Sequence, residues 1–311
     1  MTRGETDRAT ELLRRAERGV LLFGMTPPRL TTTPEQADEI ARATLTRLSG
    51  VDLDGLIVYD VDSESDRSSD PRPFPFMPMM DPVEFVDRHL SGWAGPLVIY
   101  RAVGKYDAAD LRNWLSTLEA DRVLPVLVGA ASRDQAVKTR LTDAYELHAG
   151  LDRKPVIGGV CIAERHVGAR QEHRRMQSKR DAGCAFFVSQ VCYDLDHIRD
   201  LLSDYAYSCR DEGSVPSPVV LTLAPCGSTK TLEFMSWLGI DVPHWLRTEL
   251  ARSDDPLTES YEQCVTNARA LISFCRRLRV PFGINVESLT NRKVEIDASV
   301  ALAREVRDLL R

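Results

Sequence analysis

The 311-residue chain carries 43% hydrophobic and 28% charged residues, enough for one large buried core, and has no apolar run able to span a bilayer. Its net charge of −6 offers no basic surface, so the composition excludes a nucleic-acid partner as well as a membrane role. Seven cysteines without a CxxC pair support neither a disulfide framework nor a zinc ribbon, and those inside apolar runs, such as Cys161 and Cys184, read as small hydrophobes.

The first 19 residues are charged and lack the apolar core of a secretory signal, which makes the cytoplasm the expected compartment. Residues 5–18 predict a helix placed to cover the bottom of a barrel. From there the chain alternates short apolar runs with amphipathic stretches, the pattern of stacked βα units around a parallel sheet. The strand candidates are 20–26, 55–60, 96–103, 123–129, 156–162, 185–190, 218–223 and 281–286. Their near-continuous apolar character suits strands buried between a barrel interior and a layer of helices. Between them, helices are predicted from the Thr33-Pro34 start and over 81–93, 107–120, 139–151, 173–182 and 195–209. The seventh connection is long, with a stretch over 231–239, a break at Pro243-His244-Trp245 and a helix over 260–279, so an extra helix or lid is expected there. Segment 63–80, rich in serine and then proline, reads as a loop above the C-terminal strand ends, where barrel enzymes hold their sites. The fold class that follows is α/β, a single (βα)8 barrel of TIM type, with 1–18 as an N-terminal helix and 19–311 as the barrel. The helical outer layer leaves a homo-oligomer open.

Polar residues at strand ends are the candidates for chemistry. Strand two is followed by Tyr59, Asp60, Asp62, Glu64 and Arg67, and strand five by Glu164 and His166. Strand six ends in Ser189-Gln190 with Tyr193 and Asp194 beyond, and strand eight ends in Asn285-Val286-Glu287. Glu164 and His166, two residues apart, point the same way if their strand continues, and they can supply acid–base chemistry or form a loop ion pair. Gly227-Ser228-Thr229-Lys230 lacks full phosphate-loop spacing and reads as a helix cap or a weak anion cradle. Asp62, Glu64 and Asp66 miss the EF-hand pattern, and no HxH or HExxH spacing occurs, so no metal is expected.

The order of these elements resembles the methylenetetrahydrofolate reductase family. Its Phe-Glu-Phe-Phe-Pro-Pro motif is matched in part by Phe23-Gly24-Met25-Thr26-Pro27-Pro28, and its Thr-Tyr and Arg-Asp-Arg-Thr by Val58-Tyr59 and Ser65-Asp66-Arg67-Ser68. Its Tyr-Pro-Glu-x-His becomes Ile162-Ala163-Glu164-Arg165-His166. The most specific stretch runs from 158 to 194, with Lys179, Ala182-Gly183, Ser189-Gln190 and Tyr193-Asp194 at the family's positions. The late proline-tryptophan element recurs as Pro243-His244-Trp245.

The resemblance implies a barrel that holds FAD, takes hydride from NADH or NADPH, and reduces 5,10-methylenetetrahydrofolate to 5-methyltetrahydrofolate. It implies flavin contacts at Tyr59, Gly129, His166 and Lys179, and folate contacts at Gln190, with Tyr193 and Asn285 as neighbouring substrate positions. The sequence departs from the family at the general acid, where Gly24 stands, and at the acidic Arg-Gly-Asp after strand four, here Val128-Gly129-Ala130. A flavin-contacting histidine of strand three aligns with Leu97. Asp60, Glu164 and Glu287 are the carboxylates available as a relocated acid. Glu287 is favoured, because strand eight closes against strand one beside the missing glutamate. The other reading is a folate-dependent one-carbon transferase, or an enzyme of specialised metabolism, that keeps the pocket without flavin chemistry.

Overall fold

A computed structural model describes residues 8–62, 70–130 and 135–311. Eight parallel strands close into a barrel in chain order: β1 (Val20–Met25), β2 (Gly55–Val58), β3 (Leu97–Ala102), β4 (Val123–Val128), β5 (Ile157–Cys161), β6 (Cys184–Val191), β7 (Val219–Leu223) and β8 (Phe282–Glu287). Each predicted strand lies within two residues of an observed one.

Alternation along the strands separates two apolar layers. One face, with Leu21, Phe23, Leu56, Val58, Leu97, Ile99, Leu127 and Ile284, packs against helices. The other face fills the barrel with Val20, Leu22, Ile57, Val98, Tyr100, Leu124, Val126, Phe186, Val188 and Val220. Both faces are buried, which is why the strands read as continuous apolar runs. Gly158 on β5 is required by this filling, since a Cβ there would stand 2.5 Å from the ring of Phe186.

The first helix, α1 (Arg8–Arg15), closes the bottom as expected, with Ala9, Leu12 and Ala16 in the same cluster as the barrel interior. Then α2 (Pro34–Leu48), α3 (Pro82–His89), α4 (Ala108–Thr117), α5 (Leu141–Ala149), α6 (Glu172–Asp181) and α7 (Leu195–Asp211) follow their strands. Their starts follow local chemistry. Thr33 accepts from the Gln36 N–H ahead of Pro34, and Asp81 accepts from Val83 and Glu84 ahead of Pro82.

The seventh connection holds α8 (Thr229–Trp237), α9 (His244–Arg252) and α10 (Pro256–Leu278). The expected break at 243–245 is instead a helix start, because Pro243, with φ −49°, leads directly into α9. Helix α10 begins four residues before the predicted 260, where Asp255 caps Thr258 and proline takes the first helical position. A last helix, α11 (Lys293–Leu310), packs on β8 and β1. Among the described residues, no helix is long and apolar enough to cross a membrane.

Candidate active site at the barrel mouth

The C-terminal strand ends converge on a polar array. Tyr59 follows β2 and donates its hydroxyl to Glu287 Oε2 at the end of β8. The Asn285 amide donates to the Tyr59 hydroxyl at 2.9 Å, to Glu287 Oε2 at 3.2 Å and to Thr222 Oγ1 at 3.3 Å. Thr222 on β7 donates to the Ser189 carbonyl on β6 at 3.0 Å. A chain of hydrogen bonds thus links β2, β8, β7 and β6. Tyr100, at 4.7 Å edge-to-face from Tyr59, lies under it.

Gly24 makes room for this array. It pairs with Glu287 across the β1–β8 seam, and a Cβ on it would lie 2.9 Å from the Tyr59 ring, 3.0 Å from Glu287 Oε2 and 3.1 Å from Asn285 Oδ1. The space that a larger residue on β1 would claim is held by a carboxylate from β8. Burial pushes the Glu287 carboxyl above its ordinary range, against the lowering effect of Tyr59 and Asn285. The Tyr59 hydroxyl rises far above its ordinary range through burial and the neighbouring Glu287.

Glu164 and Gln190, at the ends of β5 and β6, are both tied to the segment that follows α8. The strand after Cys161 does not continue but turns through a short 3-10 helix (Ala163–Arg165), so Glu164 and His166 do not share a face. Glu164 Oε1 accepts the Asp241 N–H at 3.3 Å, while its Oε2 is buried without a hydrogen-bond partner among the described residues. Burial pushes this carboxyl up to about 7. The Gln190 amide donates to the Leu238 carbonyl at 3.0 Å, so both side chains tie to the segment after α8.

Other candidates fall elsewhere. Asp60 is buried in a brace, ion-paired to Lys105 at 2.5 Å and accepting from the Ala102 N–H and the Tyr106 hydroxyl at 2.9 Å each. Tyr193 is buried in the shell, its hydroxyl bonded to the Ala224 carbonyl at 2.8 Å and to Ser260 at 2.7 Å. Ser228 caps α8, with the buried Glu295 against Gly227, which gives a helix cap and leaves that loop unsuited to an anion. All seven cysteines are buried. Glu64, Asp66, Arg67 and the rest of 63–69 lie outside the described residues. The strand-end reading missed Thr222, Ser189 as a link, and Tyr100. Inward alternation on β3 and β7 is the signal that would have found Tyr100 and Thr222, while Ser189 takes part through its backbone carbonyl, which no side-chain pattern shows.

A methylenetetrahydrofolate reductase family model matches residues 161–280. The chain is also similar, at 36% identity and a TM-score of 0.85, to an uncharacterized protein from Clostridium thermocellum that binds two copies of 5-methyl-5,6,7,8-tetrahydrofolic acid, over 96% of this chain and 99% of that one. The chain belongs to the methylenetetrahydrofolate reductase family. No curated protein matches it in sequence. A GH113 beta-1,4-mannanase, 13% identical at TM-score 0.52 over 93% of this chain and 98% of the other, shares the barrel alone.

Against the family's flavin contacts, the side chains here are turned elsewhere. Lys179, on α6, donates to the Val160 carbonyl at 2.5 Å, and burial lowers its pKa. His166 is 2% exposed and bonds Asp204 of α7 at 3.1 Å. Tyr59 is held by Glu287, and Gly129 faces Leu141, 3.4 Å from the place of its missing Cβ. Leu97 sits at the N-terminal start of β3 in the helix-facing layer, away from the mouth, so its alignment with a flavin histidine says nothing about the site. This donor set does not fit a flavin.

Proposed function

We propose that the protein is a methylenetetrahydrofolate reductase-like enzyme that reduces 5,10-methylenetetrahydrofolate to 5-methyltetrahydrofolate with NAD(P)H, without a resident flavin. The observation that carries this reading is the Glu287 carboxyl seated against Gly24, at the seam where the family's acid would stand. The Clostridium thermocellum protein, 36% identical over nearly the whole chain, supports a folate as ligand.

The chemistry needs a proton and a hydride. Ring opening breaks the bond between the bridging carbon and N10 as N10 takes a proton, which leaves an iminium at N5. Hydride from the nicotinamide then reduces that carbon to methyl, and NAD(P)+ departs. Glu287 supplies the proton, because burial raises its carboxyl above the ordinary range and so favours the protonated form. Tyr59 and Asn285 both donate to Oε2, which leaves Oε1 to carry the transferable proton. Gln190 and Glu164, joined through the segment after α8, form the opposite wall for the pterin.

The test is turnover of NAD(P)H with methylenetetrahydrofolate by the parent and by Glu287→Gln, alongside calorimetric titration with 5-methyltetrahydrofolate. Retained folate binding with lost turnover in the variant supports the assignment, and unchanged turnover removes it. Transfer of labelled carbon to a second acceptor without NAD(P)H oxidation would instead favour the one-carbon transferase.

A further inference from the structure

We propose that His166, His173 and Asp204 form a binding site for a divalent cation of the zinc class on the outside of the barrel, joining the turn after β5 to α6 and α7. The three residues are 7 and 31 positions apart in sequence, a spacing that matches no linear metal motif, which is why the sequence reading expected no metal. The fold brings them together. One ligand atom from each lies within 4.8 Å of the other two.

The geometry is near that of a coordination shell. Ligands bonded at about 2.0–2.1 Å to a tetrahedral ion stand roughly 3.4 Å apart. His166 Nε2 and Asp204 Oδ2 are already 3.1 Å apart, so only the remaining separations need to close, by at most about 1.4 Å. The His166 and His173 rings meet edge-to-face with centroids 5.3 Å apart.

The hydrogen bonding is incomplete without an ion. His166 is 2% exposed and offers its Nε2, already against Asp204, while Nδ1 of His173 is buried and has no hydrogen-bond partner among the described residues. A buried imidazole nitrogen is ordinarily satisfied, and an ion shared by His166 Nε2, His173 and Asp204 would satisfy that of His173. Asp204 is about a third exposed, which gives an ion a path from solvent.

The donor set selects the ion. Two imidazoles and one carboxylate suit zinc or cobalt, with a further position open to water. The neighbouring acids are engaged elsewhere: Glu172 accepts from Ile162 and Arg175, and Asp200 pairs with Arg170. A bound ion would clamp three elements and hold His166 on the outer layer. This site does not depend on the proposed reaction.

The experiment is titration of the full-length, untagged, chelator-treated protein with cobalt and then zinc. The expected result is one cobalt per chain, with visible ligand-field bands and no thiolate charge-transfer band, displaced by zinc, and a higher melting temperature with either ion. His173→Gln and Asp204→Asn, both at partly exposed positions, are each expected to weaken binding at least tenfold with an unchanged circular dichroism spectrum. A variant that fails to fold is replaced by His173→Ala. Absence of stoichiometric binding to the parent, a thiolate band, or unaltered affinity in a folded variant overturns the site.

Discussion

Gly24 and Glu287 face each other across the β1–β8 seam, and the carboxylate lies 3.0 Å from the place where a Cβ on Gly24 would be. The missing side chain on one strand and the acid on the next are therefore one packing solution. Gly24→Ala forces that cluster apart. Overpacking of this kind costs about 1–3 kcal/mol, and a fall in denaturation midpoint of that size, with turnover reduced at least tenfold, is expected.

Glu287→Gln keeps the shape and the bonds to Tyr59 and Asn285 while removing the proton. Turnover is expected to fall on the order of a hundredfold or more, with folate affinity within a few-fold of the parent. In the parent, the rate falls as pH rises through the elevated pKa of Glu287, because only the protonated acid donates. Tyr59→Phe removes one bond from the carboxylate and shifts that limb to higher pH. Rate profiles across pH check both.

Glu164 controls a pH-dependent part of the stability. Its carboxyl is pushed from an ordinary 4.5 to about 7 by burial, so the folded protein holds this proton more tightly than the unfolded chain. Its contribution is intact below about 4.5 and is lost as pH rises toward about 7. Glu164→Gln flattens that slope and stabilises the protein at neutral pH by on the order of 1–2 kcal/mol, allowing for partial exposure. Chemical denaturation at pH 5 and pH 8 gives the comparison.

Asp60→Asn tests the brace rather than the chemistry. It leaves Lys105 without its buried partner, and a loss of roughly 2–4 kcal/mol is expected. Folate affinity measured in the folded fraction should change little.

The barrel was legible because strands buried on both faces write continuous apolar runs, and caps such as Thr33 and Asp81 mark helix starts in the sequence itself. The place of Glu287 was legible too, since neighbouring ends of a closed barrel follow from strand order. The partners of the other candidates were not. Nothing in the spacing shows that Asp60 is held by Lys105, that Tyr193 reaches Ser260, or that Lys179 turns to the Val160 carbonyl, because those contacts depend on packing between distant segments. The convergence of His166, His173 and Asp204 was hidden for the same reason.

Direct hydride transfer to a folate, in a pocket whose acid is Glu287, leaves an isotopic signature. It is tested most directly with NAD(P)H deuterated on the transferred position of the nicotinamide, supplied with methylenetetrahydrofolate in ordinary water. A colourless protein is expected, with one deuterium retained in the methyl group of 5-methyltetrahydrofolate. Loss of the label to solvent, as exchange on a reduced flavin would give, or the absence of any reduction, would contradict it.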